Sequence, residues 1–483
     1  MYELKGKYGV AAVHSQTADK VSVDQIKEML DCEWSKDLSI KIMPDYHAGK
    51  GCVIGTTIQL DGYVVPNLVG VDIGCGMVTT ELGSKRIEFS ELDRFIKSAI
   101  PTGQNVNAQL TEWDRLDDLK CLAKINKDRV LRSIGTLGGG NHFIEIDRDK
   151  SYKQYLIVHS GSRYLGVQVA KYYQALAEKK GQSFSIELEN SIEKGIADLK
   201  AAGEQGKISN FIKESKDNYP QSNIPKALMG LTGQDMEDYL NDMKIAQEYA
   251  ILNRDTIVNK ILAFLNIGEN NSFHTIHNYI STNERGETIL RKGAISAEKY
   301  EKVLIPINMR DGCIIGIGRG NKDYNYSAPH GAGRLFSRTQ AKNNFSLEEF
   351  EETMKGVYST SVNHSTLDES PMAYKSLEEI LPNLEETIKV VEIIKPVYNF
   401  KHSEEIEEVE EIDDSTAEKQ TQEKLKSMLE EYKRMANEAL INRPVANEAL
   451  INRPMPVFQK CDSCGFLVVQ EDLMDRICSD CRG

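Results

Sequence analysis

Two pairs of cysteines near the C-terminus have the spacing of a zinc site. Cys461 and Cys464 form one Cys-x-x-Cys pair, and Cys478 and Cys481 form a second pair 13 residues later. Two such pairs can bring four thiolates around one tetrahedral Zn²⁺, and the metal then stabilises a segment too short to build its own core. The sequence therefore predicts a zinc ribbon over residues 456–483. The alternative is a pair of degenerate knuckles without metal.

A second set of potential ligands is dispersed through glycine-rich and polar stretches. Its members are Asp72, Cys75, His142, His159, His277 and His330. Taken singly, a histidine beside an apolar strand is most often a hydrogen-bonded core residue, and a buried cysteine is most often a small hydrophobe. Taken together, carboxylate, imidazole and thiolate suit Mn²⁺, Zn²⁺ or Fe²⁺ better than Mg²⁺. A thiolate can also bridge two metal ions, and a two-metal site suits phosphoryl or nucleotidyl transfer.

Glycines and cations that suit a phosphate group lie close to these ligands in the sequence. The run from Gly138 to Gly140 would let backbone N–H groups approach an anion. The cations beside the ligand stretches are Arg163, Arg291, Lys292, Arg334 and Arg338. The alternative for the glycines is a plain turn, and the alternative for each cation is an ordinary surface charge.

The hydrophobic pattern predicts the elements that must position these residues. Residues 1–85 alternate short apolar runs with glycines, which indicates strands joined by tight turns. Residues 167–265 are charged, poor in glycine and mostly helical, and they are interpreted as an insertion or a lid. Residues 270–345 return to strands and loops, and VVEIIKPVYNF is predicted to be a closing strand.

Length and composition exclude several classes of protein. The 483 residues predict two to three domains, and 40% apolar with 27% charged residues is ordinary for a globular protein. A net charge of −14 argues against broad coating of nucleic acid, so a phosphate site must be a local cluster. We expect no membrane span, no secretion and a cytoplasmic protein whose nine cysteines are reduced or bind metal.

The composition changes sharply after residue 401. Eight acidic residues lie between Glu404 and Asp414, and the string ANEALINRP occurs at 436–444 and again at 446–454. Like charges at this density favour a solvated segment, and two copies of a repeat are too few for a solenoid. We interpret residues 402–455 as an acidic, helical linker to the ribbon.

Seven strings carry a resemblance to a known family. They are PDYHAGKGCVIGTT, VGVDIGCGM, LGGGNHFIEI, VHSGSRYLG, HN at 277–278, RKGA at 291–294 and APHGAGRLFSR. In these strings and their order the sequence resembles the RtcB family, GTP-dependent RNA ligases of tRNA splicing and RNA repair. The resemblance implies an α+β fold, with a single catalytic domain over residues 1–401 and a metal cleft lined by strand ends and loops. Residues 402–483 lie outside it.

The resemblance also implies a mechanism. Cys75 would bridge two Mn²⁺ ions, whose coordination would be completed by Asp72, His142, His159 and His277. His330 would attack the α-phosphate of GTP and become guanylylated, since a neutral imidazole is a competent nucleophile near neutral pH. GMP would then pass to an RNA 3′-phosphate, and a 5′-hydroxyl would attack that end and release GMP. A 2′,3′-cyclic phosphate would first be opened in the same site.

Further roles follow for residues that would contact nucleotide and RNA. By resemblance, the guanine nucleotide would contact Asn141, Glu145, Gly331, Ala332, Gly333 and Lys401. Phosphates of GTP or RNA would be held by Arg163, Lys292, Arg334 and Arg338. Asn308 and Cys313 stand where many members have nucleotide-contacting serines. Because cysteine is a weaker hydrogen-bonding group than serine, these departures bear on nucleotide affinity or choice.

Two other functions are open at this point. The departures at 307–313 favour a nucleotidyltransferase that caps 3′-phosphate ends without sealing them. A third hypothesis is an inactive RNA-binding adaptor whose ribbon docks to another complex, although the intact Cys75 and His330 argue against it. The expected partner is RNA with 3′-phosphate or 2′,3′-cyclic phosphate and 5′-hydroxyl ends, with or without a helper protein. The sequence does not specify the physiological RNA or the oligomeric state.

Overall fold

The computed structural model describes residues 1–15, 19–49, 51–218, 224–268 and 271–403, and four short strands between 458 and 478. Within the helices, the side chains of 182–190, 193 and 216–218 are outside this description. The described part mixes helices with two large sheets, which confirms the predicted combination of α and β structure.

The first sheet has six strands in the order β1-β2-β3-β4-β10-β9. Their bounds are β1 Tyr2–Lys5, β2 Val10–Val13, β3 Ile40–His47, β4 Ile54–Gln59, β9 Asn278–Thr282 and β10 Thr288–Lys292. All neighbours are antiparallel except β2 and β3, which are parallel. Parallel neighbours need a long crossover, and the chain supplies a helix for it.

This crossover helix, α1 at Lys20–Leu30, was absent from the predicted strands of residues 1–85. The side chain of Asp19 accepts a hydrogen bond from the backbone N–H of Ser22 and so caps the helix N-terminus. The side chains of Ile26 and Met29, on the inner face of this helix, are fully buried. The prediction failed here because the helix is short and lies between two apolar strands.

The second sheet has seven antiparallel strands in the order β12-β13-β15-β6-β7-β5-β8. Their bounds are β5 Gly76–Gly83, β6 Phe143–Arg148, β7 Gln154–Ser160, β8 Ser272–Ile276, β12 Lys302–Asn308, β13 Gly312–Gly318 and β15 Ile388–Lys401. The two outer strands, β12 and β8, lie close to each other: the backbone N–H of Leu304 on β12 donates to Thr275 Oγ1 on β8 at 3.0 Å. The sheet is therefore almost closed into a barrel. The segment VVEIIKPVYNF, predicted as a closing strand, forms part of β15, which lies in the middle of the sheet between β13 and β6. A separate pair joins β11 Ala294–Ser296 to β14 Ser327–Pro329.

The remaining helices cover the sheets. They are α2 Phe89–Ala99, α3 Lys127–Ser133, α4 Arg163–Ala201, α5 Ile208–Asn218, α6 Gly233–Leu265, α7 Arg338–Asn344, α8 Leu347–Thr353 and α9 Leu377–Leu384. Tyr173 on α4 and Tyr239 on α6 are buried in the core of the first sheet. Both ends of the segment 167–265 thus belong to the core, and an insertion or lid stays a prediction for its middle alone. Among the described residues, no helix has the length and apolar run needed to cross a membrane.

Two small hairpins are described beyond residue 403. Strand β16 at Phe458–Lys460 pairs with β17 at Leu467–Val469, and β18 at Leu473–Met474 pairs with β19 at Ile477–Cys478. The predicted linker at 402–455 and the ligand atoms of Cys461, Cys464, Cys478 and Cys481 lie outside the described residues, apart from residues 402 and 403. The zinc ribbon therefore stays a prediction.

Asn253 on α6 connects this helix to the loops that hold the potential ligands. The Asn253 side chain is fully buried and accepts hydrogen bonds from the backbone N–H groups of Gly135 and Thr136 at 2.8 and 3.0 Å. Its amide nitrogen donates to Thr136 O, Ser160 Oγ and Gly161 O. One side chain thus satisfies the backbone of the loops before β6 and after β7.

Replacing Asn253 with alanine should destabilise the protein by about 3 kcal/mol, because two buried backbone N–H groups lose their acceptor. The free energy of unfolding, measured by urea denaturation, checks this. Gln234→Ala on the same helix is the control, since Gln234 is exposed and bonds only locally to Asp238, and its effect should stay within about 0.5 kcal/mol. Equal effects of the two variants would contradict the proposed role of Asn253 in the fold.

Candidate active site

Four of the predicted metal ligands lie at strand ends on one edge of the second sheet. Cys75 directly precedes β5, His142 directly precedes β6, His159 is near the end of β7, and His277 lies between β8 and β9. Strand β5 pairs with both β7 and β8, and β6 pairs with β7. The antiparallel register therefore places these four side chains, which are distant in sequence, at the same end of the sheet.

The distances show that the ligand atoms converge. Cys75 Sγ lies 3.2 Å from His159 Nε2 and 3.5 Å from His142 Nε2, and His142 Nε2 lies 3.1 Å from Asp72 Oδ2. The rings of His159 and His277 are 5.2 Å apart between centroids. All are buried except Asp72, whose side chain is 34% exposed. The structure thus brings together all five residues predicted to bind metal.

The donor atoms are oriented as in a site for a divalent cation. His142 Nδ1 donates to the backbone carbonyl of Leu137 at 2.8 Å, which leaves the lone pair of Nε2 directed at the cluster. The Nδ1 atoms of His159 and His277 are buried and have no hydrogen-bond partner among the described residues. Burial lowers the pKa of both rings well below the usual range, so both are neutral. A neutral imidazole is the form that coordinates metal.

The Cys75 thiol adds a pH dependence to any such binding. Burial, followed by the nearby Asp72 carboxylate, raises the pKa of the thiol well above its usual range. Because a metal binds the thiolate, a cation must displace this proton when it enters. The donor set of thiolate, carboxylate and imidazole fits the divalent ions favoured by the sequence.

Cys75→Ala should weaken the binding of Mn²⁺ by at least about 10-fold, because the variant lacks the central ligand. Free Mn²⁺ can be counted by electron paramagnetic resonance during a titration of the protein. Cys52→Ala is the matched control, since Cys52 is also a buried free cysteine but lies in the core of the first sheet. Unchanged Mn²⁺ affinity in Cys75→Ala, with the control also unchanged, would contradict a metal site here.

His330 lies beside this cluster and is held by a carboxylate. It follows β14, and its ring centroid is 5.1 Å from that of His277. His330 Nδ1 donates to Asp45 Oδ2 at 2.8 Å, and the backbone N–H of His330 donates to the same oxygen at 3.2 Å. With the proton fixed on Nδ1, Nε2 keeps its lone pair and is the ring atom that can act as a nucleophile.

Asp45 is a functional residue that the sequence reasoning missed. It is 2% exposed, and its Oδ1 has no hydrogen-bond partner among the described residues. Gly333 lies against it: a Cβ at this glycine, whose φ is +75°, would come within 2.8 Å of the Asp45 carbonyl oxygen. The available signal was an acidic residue inside the buried part of the strand IKIMPDYH, because a buried carboxylate needs a partner.

Glu369 forms the centre of a second charged group. Its carboxylate pairs with Lys401 Nζ at 2.9 Å, with Arg338 Nη1 at 2.6 Å and with Arg334 Nη1 at 3.4 Å, and it accepts a hydrogen bond from the Tyr374 hydroxyl. Although burial favours the neutral acid, the charges of Lys401, Arg338 and Arg334 lower the pKa of Glu369 to about 2. The structure thus brings three predicted phosphate- or nucleotide-binding cations together around an acid that the sequence did not single out.

Glu369→Gln should lower the free energy of unfolding by about 3 kcal/mol at neutral pH, because it leaves the buried Lys401 without its counter-ion. A carboxyl with a lowered pKa stabilises the fold at pH above the unfolded value, about 4.3, and that contribution disappears as the carboxyl protonates. The difference between variant and unmodified protein should therefore shrink as the pH falls from about 4.3 toward the folded pKa of about 2.

Chemical denaturation at a series of pH values measures this difference. Glu352→Gln is the control, because the Glu352–Lys355 ion pair is exposed on both sides and should contribute less than about 1 kcal/mol. A Glu369→Gln effect that is small, or that grows in acid, would contradict the role assigned to this carboxylate.

The predicted nucleotide contacts on β6 point into the near-barrel. Glu145 accepts a hydrogen bond from Asn399 Nδ2 at 2.5 Å, and Cys313 Sγ lies 3.7 Å from Glu145 Oε1. Asp147 adjoins them, so that two buried carboxyls and a thiol share one site. Burial raises the pKa of Glu145, Asp147 and Cys313. Lys401, on β15, lies over the ring of Phe143, which is on β6 with Glu145. Lys401 therefore links this group to Glu369.

The other predicted residues occupy separate positions. The Arg163 guanidinium lies against Gly138 and donates to Gly103 O at 2.9 Å, and Lys292 Nζ donates to Asn67 O at 3.0 Å. Asn141 is exposed, whereas Gly331, Ala332 and Gly333 are buried behind His330.

Two predicted residues are engaged within the fold. The Asn308 amide bonds to the turn between β12 and β13, through Asp311 Oδ2 and the backbone N–H groups of Arg310 and Asp311. The buried Arg291 is held by Ser327 and Ser281 hydroxyls. The structure therefore does not bring Asn308 or Arg291 to the charged groups described above.

Comparison with known proteins connects this geometry to a family. The family model described as tRNA-splicing ligase RtcB matches residues 25–126 and 114–402. An RNA-splicing ligase RtcB from Escherichia coli (strain K12) is 30% identical over 398 residues, which cover 74% of this chain and 88% of that protein. A tRNA-splicing ligase RtcB from Aeropyrum pernix is 25% identical over 416 residues, covering 70% and 82%.

A tRNA-splicing ligase RtcB from Thermococcus kodakarensis is 24% identical over 429 residues, again covering 70% of this chain and 82% of the relative. The matched region contains every residue of the metal-ligand cluster, the Asp45–His330 pair and the Glu369 group, and it ends at residue 402, close to the predicted limit of the catalytic domain. These matches confirm the resemblance drawn from the sequence motifs: the chain belongs to the RtcB family of RNA ligases.

Proposed function

We propose that this chain is an RNA ligase that joins 3′-phosphate or 2′,3′-cyclic phosphate ends to 5′-hydroxyl ends, using GTP and Mn²⁺, in RNA repair or tRNA splicing. The names of its relatives support RNA ligation. The observation that carries the chemistry is the histidine His330, whose Nδ1 is fixed by Asp45 and whose ring adjoins the buried ligand cluster.

The first step in this proposal is guanylylation of His330. Its Nε2 attacks the α-phosphorus of GTP, a P–N bond forms, and pyrophosphate leaves. The ring gains positive charge in this step, and the Asp45 carboxylate, which accepts the Nδ1 proton in a hydrogen bond, stabilises that charge. The pair thus holds the tautomer that exposes a lone pair, and it compensates the charge that the attack creates.

The two later steps use the same site. An oxygen of the RNA 3′-phosphate attacks the phosphorus of the GMP group, and the P–N bond to His330 breaks. The 5′-hydroxyl oxygen then attacks the activated 3′-phosphate, and GMP leaves as the new phosphodiester forms. Mn²⁺ held by Asp72, Cys75, His142, His159 and His277 would supply Lewis-acid stabilisation of phosphate charge in these steps.

The remaining contacts follow the groups that the structure describes. Glu145, Lys401, Asn141 and the loop of Gly331, Ala332 and Gly333 would bind the guanine nucleotide, with Cys313 beside Glu145. Asn308, which bonds within the turn between β12 and β13, is assigned to this contact by the resemblance alone. Arg163, Lys292, Arg334 and Arg338 would bind phosphates. The exposed half of the Arg338 side chain supports this for one of them, because its guanidinium can meet an RNA phosphate while it remains near Glu369.

The C-terminal extension has a proposed role of its own. Zn²⁺ bound by Cys461, Cys464, Cys478 and Cys481 would hold the ribbon, and the acidic linker would connect it to the catalytic domain. The ribbon would recruit RNA or a protein partner. The cysteine spacing supports this part of the proposal.

Incubation with α-³²P-GTP and Mn²⁺ should label the protein with an acid-labile GMP group, which a denaturing gel detects. His330→Ala should abolish the label, because the nucleophile is absent. Asp45→Asn should reduce the initial rate of labelling by about 100-fold or more, since an amide N–H opposite Nδ1 favours the wrong tautomer. His364→Ala is the control, because His364 is exposed and lies outside the groups described above.

Adding RNA with 3′-phosphate and 5′-hydroxyl ends to the labelled protein then distinguishes the candidate functions. Discharge of the label into sealed RNA supports a ligase, whereas accumulation of capped ends beside a good 5′-hydroxyl partner supports the nucleotidyltransferase that the 307–313 departures favour. Labelling with α-³²P-ATP in parallel tests the choice of nucleotide. Full labelling of His330→Ala would refute the assignment of the nucleophile, and absence of any adduct in metal-loaded protein would refute the ligase proposal.

A further inference from the structure

His47, at the end of β3, lies beside His330. The two rings are 6.5 Å apart between centroids and are inclined by only 23°. His47 is partly exposed, whereas the residues just before it on β3 are buried. The sequence motifs give His47 no role, and neither the metal-ligand cluster nor the Glu369 group uses it.

Asp45 fixes the protonation pattern of both histidines. Its carboxylate accepts the Nδ1 proton of His330, and its backbone carbonyl accepts a hydrogen bond from His47 Nδ1 at 3.0 Å. A carbonyl oxygen can only accept, so Nδ1 of His47 carries the proton and its Nε2 carries the lone pair. One residue therefore presents two imidazole rings in the same tautomer, each with a basic Nε2.

An irregularity in the first sheet lies beside Asp45 and His47. The pairing of β3 with β4 shifts between Ile42 and His47, so that the residues between them leave the regular ladder. Such irregularities redirect side chains and are common next to active sites. Asp45 and His47 are two residues apart on β3, so an extended strand places both side chains on the same face, where His330 lies.

The chemistry of the proposed reaction needs one further group. The imidazole Nε2 of His330 and the 3′-phosphate oxygen both attack with a free lone pair, so the first two steps require no base. The 5′-hydroxyl of the sealing step still carries a proton when it attacks. With RNA that already ends in a 3′-phosphate, sealing is the one step in which a nucleophile must lose a proton.

We propose that His47 is the general base of the sealing step. Its Nε2 accepts the proton of the RNA 5′-hydroxyl while the hydroxyl oxygen bonds to the 3′-phosphate phosphorus and the bond from that phosphate to GMP breaks. GMP leaves as an anion and needs no proton, and His47 returns its proton to solvent. This inference rests on the proposed ligase function and assigns one residue to one of its steps.

The surroundings of His47 keep its ring neutral, as a base must be. Burial lowers the pKa of His47, and the nearby Arg334 charge lowers it further, against the opposing effects of the hydrogen bond to the Asp45 carbonyl and the charge of the Asp45 carboxylate. The distance between the His47 and His330 rings also suits a base that acts on the sealing step. The 3′-phosphate that takes GMP from His330 lies one phosphate group away from that ring, and a base whose ring centroid is 6.5 Å from that of His330 is within reach of it.

Each step can be measured separately in His47→Ala. Labelling of His330 by α-³²P-GTP and transfer of GMP to RNA 3′-phosphate should both stay within about threefold of the unmodified protein, whereas sealing of purified RNA with a 3′-GMP cap to a 5′-hydroxyl strand should fall by about 100-fold or more. Free imidazole should partly restore sealing in this variant, because the shortened side chain leaves room for it. His364→Ala should be unchanged in all three assays.

The assays distinguish the possible failures. Absence of labelling in the unmodified protein would refute the ligase proposal, on which this inference depends. Normal sealing by a His47→Ala protein that labels normally would overturn the inference alone. Loss of all three steps, without rescue by imidazole, would also overturn it and would show that His47 holds Asp45 in position. Loss of sealing with an unchanged KM for capped RNA, together with rescue, supports the general base.

Discussion

The site depends on one buried cation. Arg254 on α6 is fully buried, and its Nη1 donates hydrogen bonds of 2.8 Å to the backbone carbonyls of Gly74 and Ser160. Each carbonyl adjoins a ligand of the cluster, Cys75 or His159. Its Nε donates to His274 Nδ1 at 3.4 Å, and a buried guanidinium whose hydrogen-bond partners are all uncharged costs several kcal/mol in desolvation. Burial accordingly lowers the pKa of Arg254 to about 10, while the acidic groups of the cluster raise it. The cation fixes the distance between two ligand loops, and its charge favours the thiolate that metal binding needs.

The sequence predicted which residues come together in the candidate site better than it predicted the residues that hold them in place. The predicted metal ligands and His330 stand in glycine-rich or polar stretches at strand ends, where such side chains have few structural uses, so their residue types were informative. Asp45, Arg254 and Glu369 were missed because an isolated charged residue in a strand or helix has no spacing signal. Their partners, such as Lys401 for Glu369, come from distant parts of the chain. Only the folded register of the strands brings such pairs together.

In the fold, too, features with a local sequence pattern could be predicted, whereas features that depend on distant parts of the chain could not. The strands of both sheets and the closing strand β15 follow from apolar runs and turn residues, whose patterns are local. The order of the seven-stranded sheet, with β15 between β13 and β6, could not be predicted, because antiparallel pairing of distant strands leaves no local pattern. The helix α1 was missed for a related reason: the need for a crossover appears only once β2 and β3 are known to be parallel.

Because β15 lies in the middle of the second sheet but near the end of the catalytic region, its position affects when this sheet can form during synthesis. This strand runs from Ile388 to Lys401 and supplies Asn399 to Glu145 and Lys401 to Glu369. While the chain is still on the ribosome, β6 and β13 cannot pair with β15, because β15 is among the last parts of the domain to be synthesised. The acidic barrel interior therefore stays incomplete until translation has passed residue 401, and a nascent chain released earlier would lack both of these contacts.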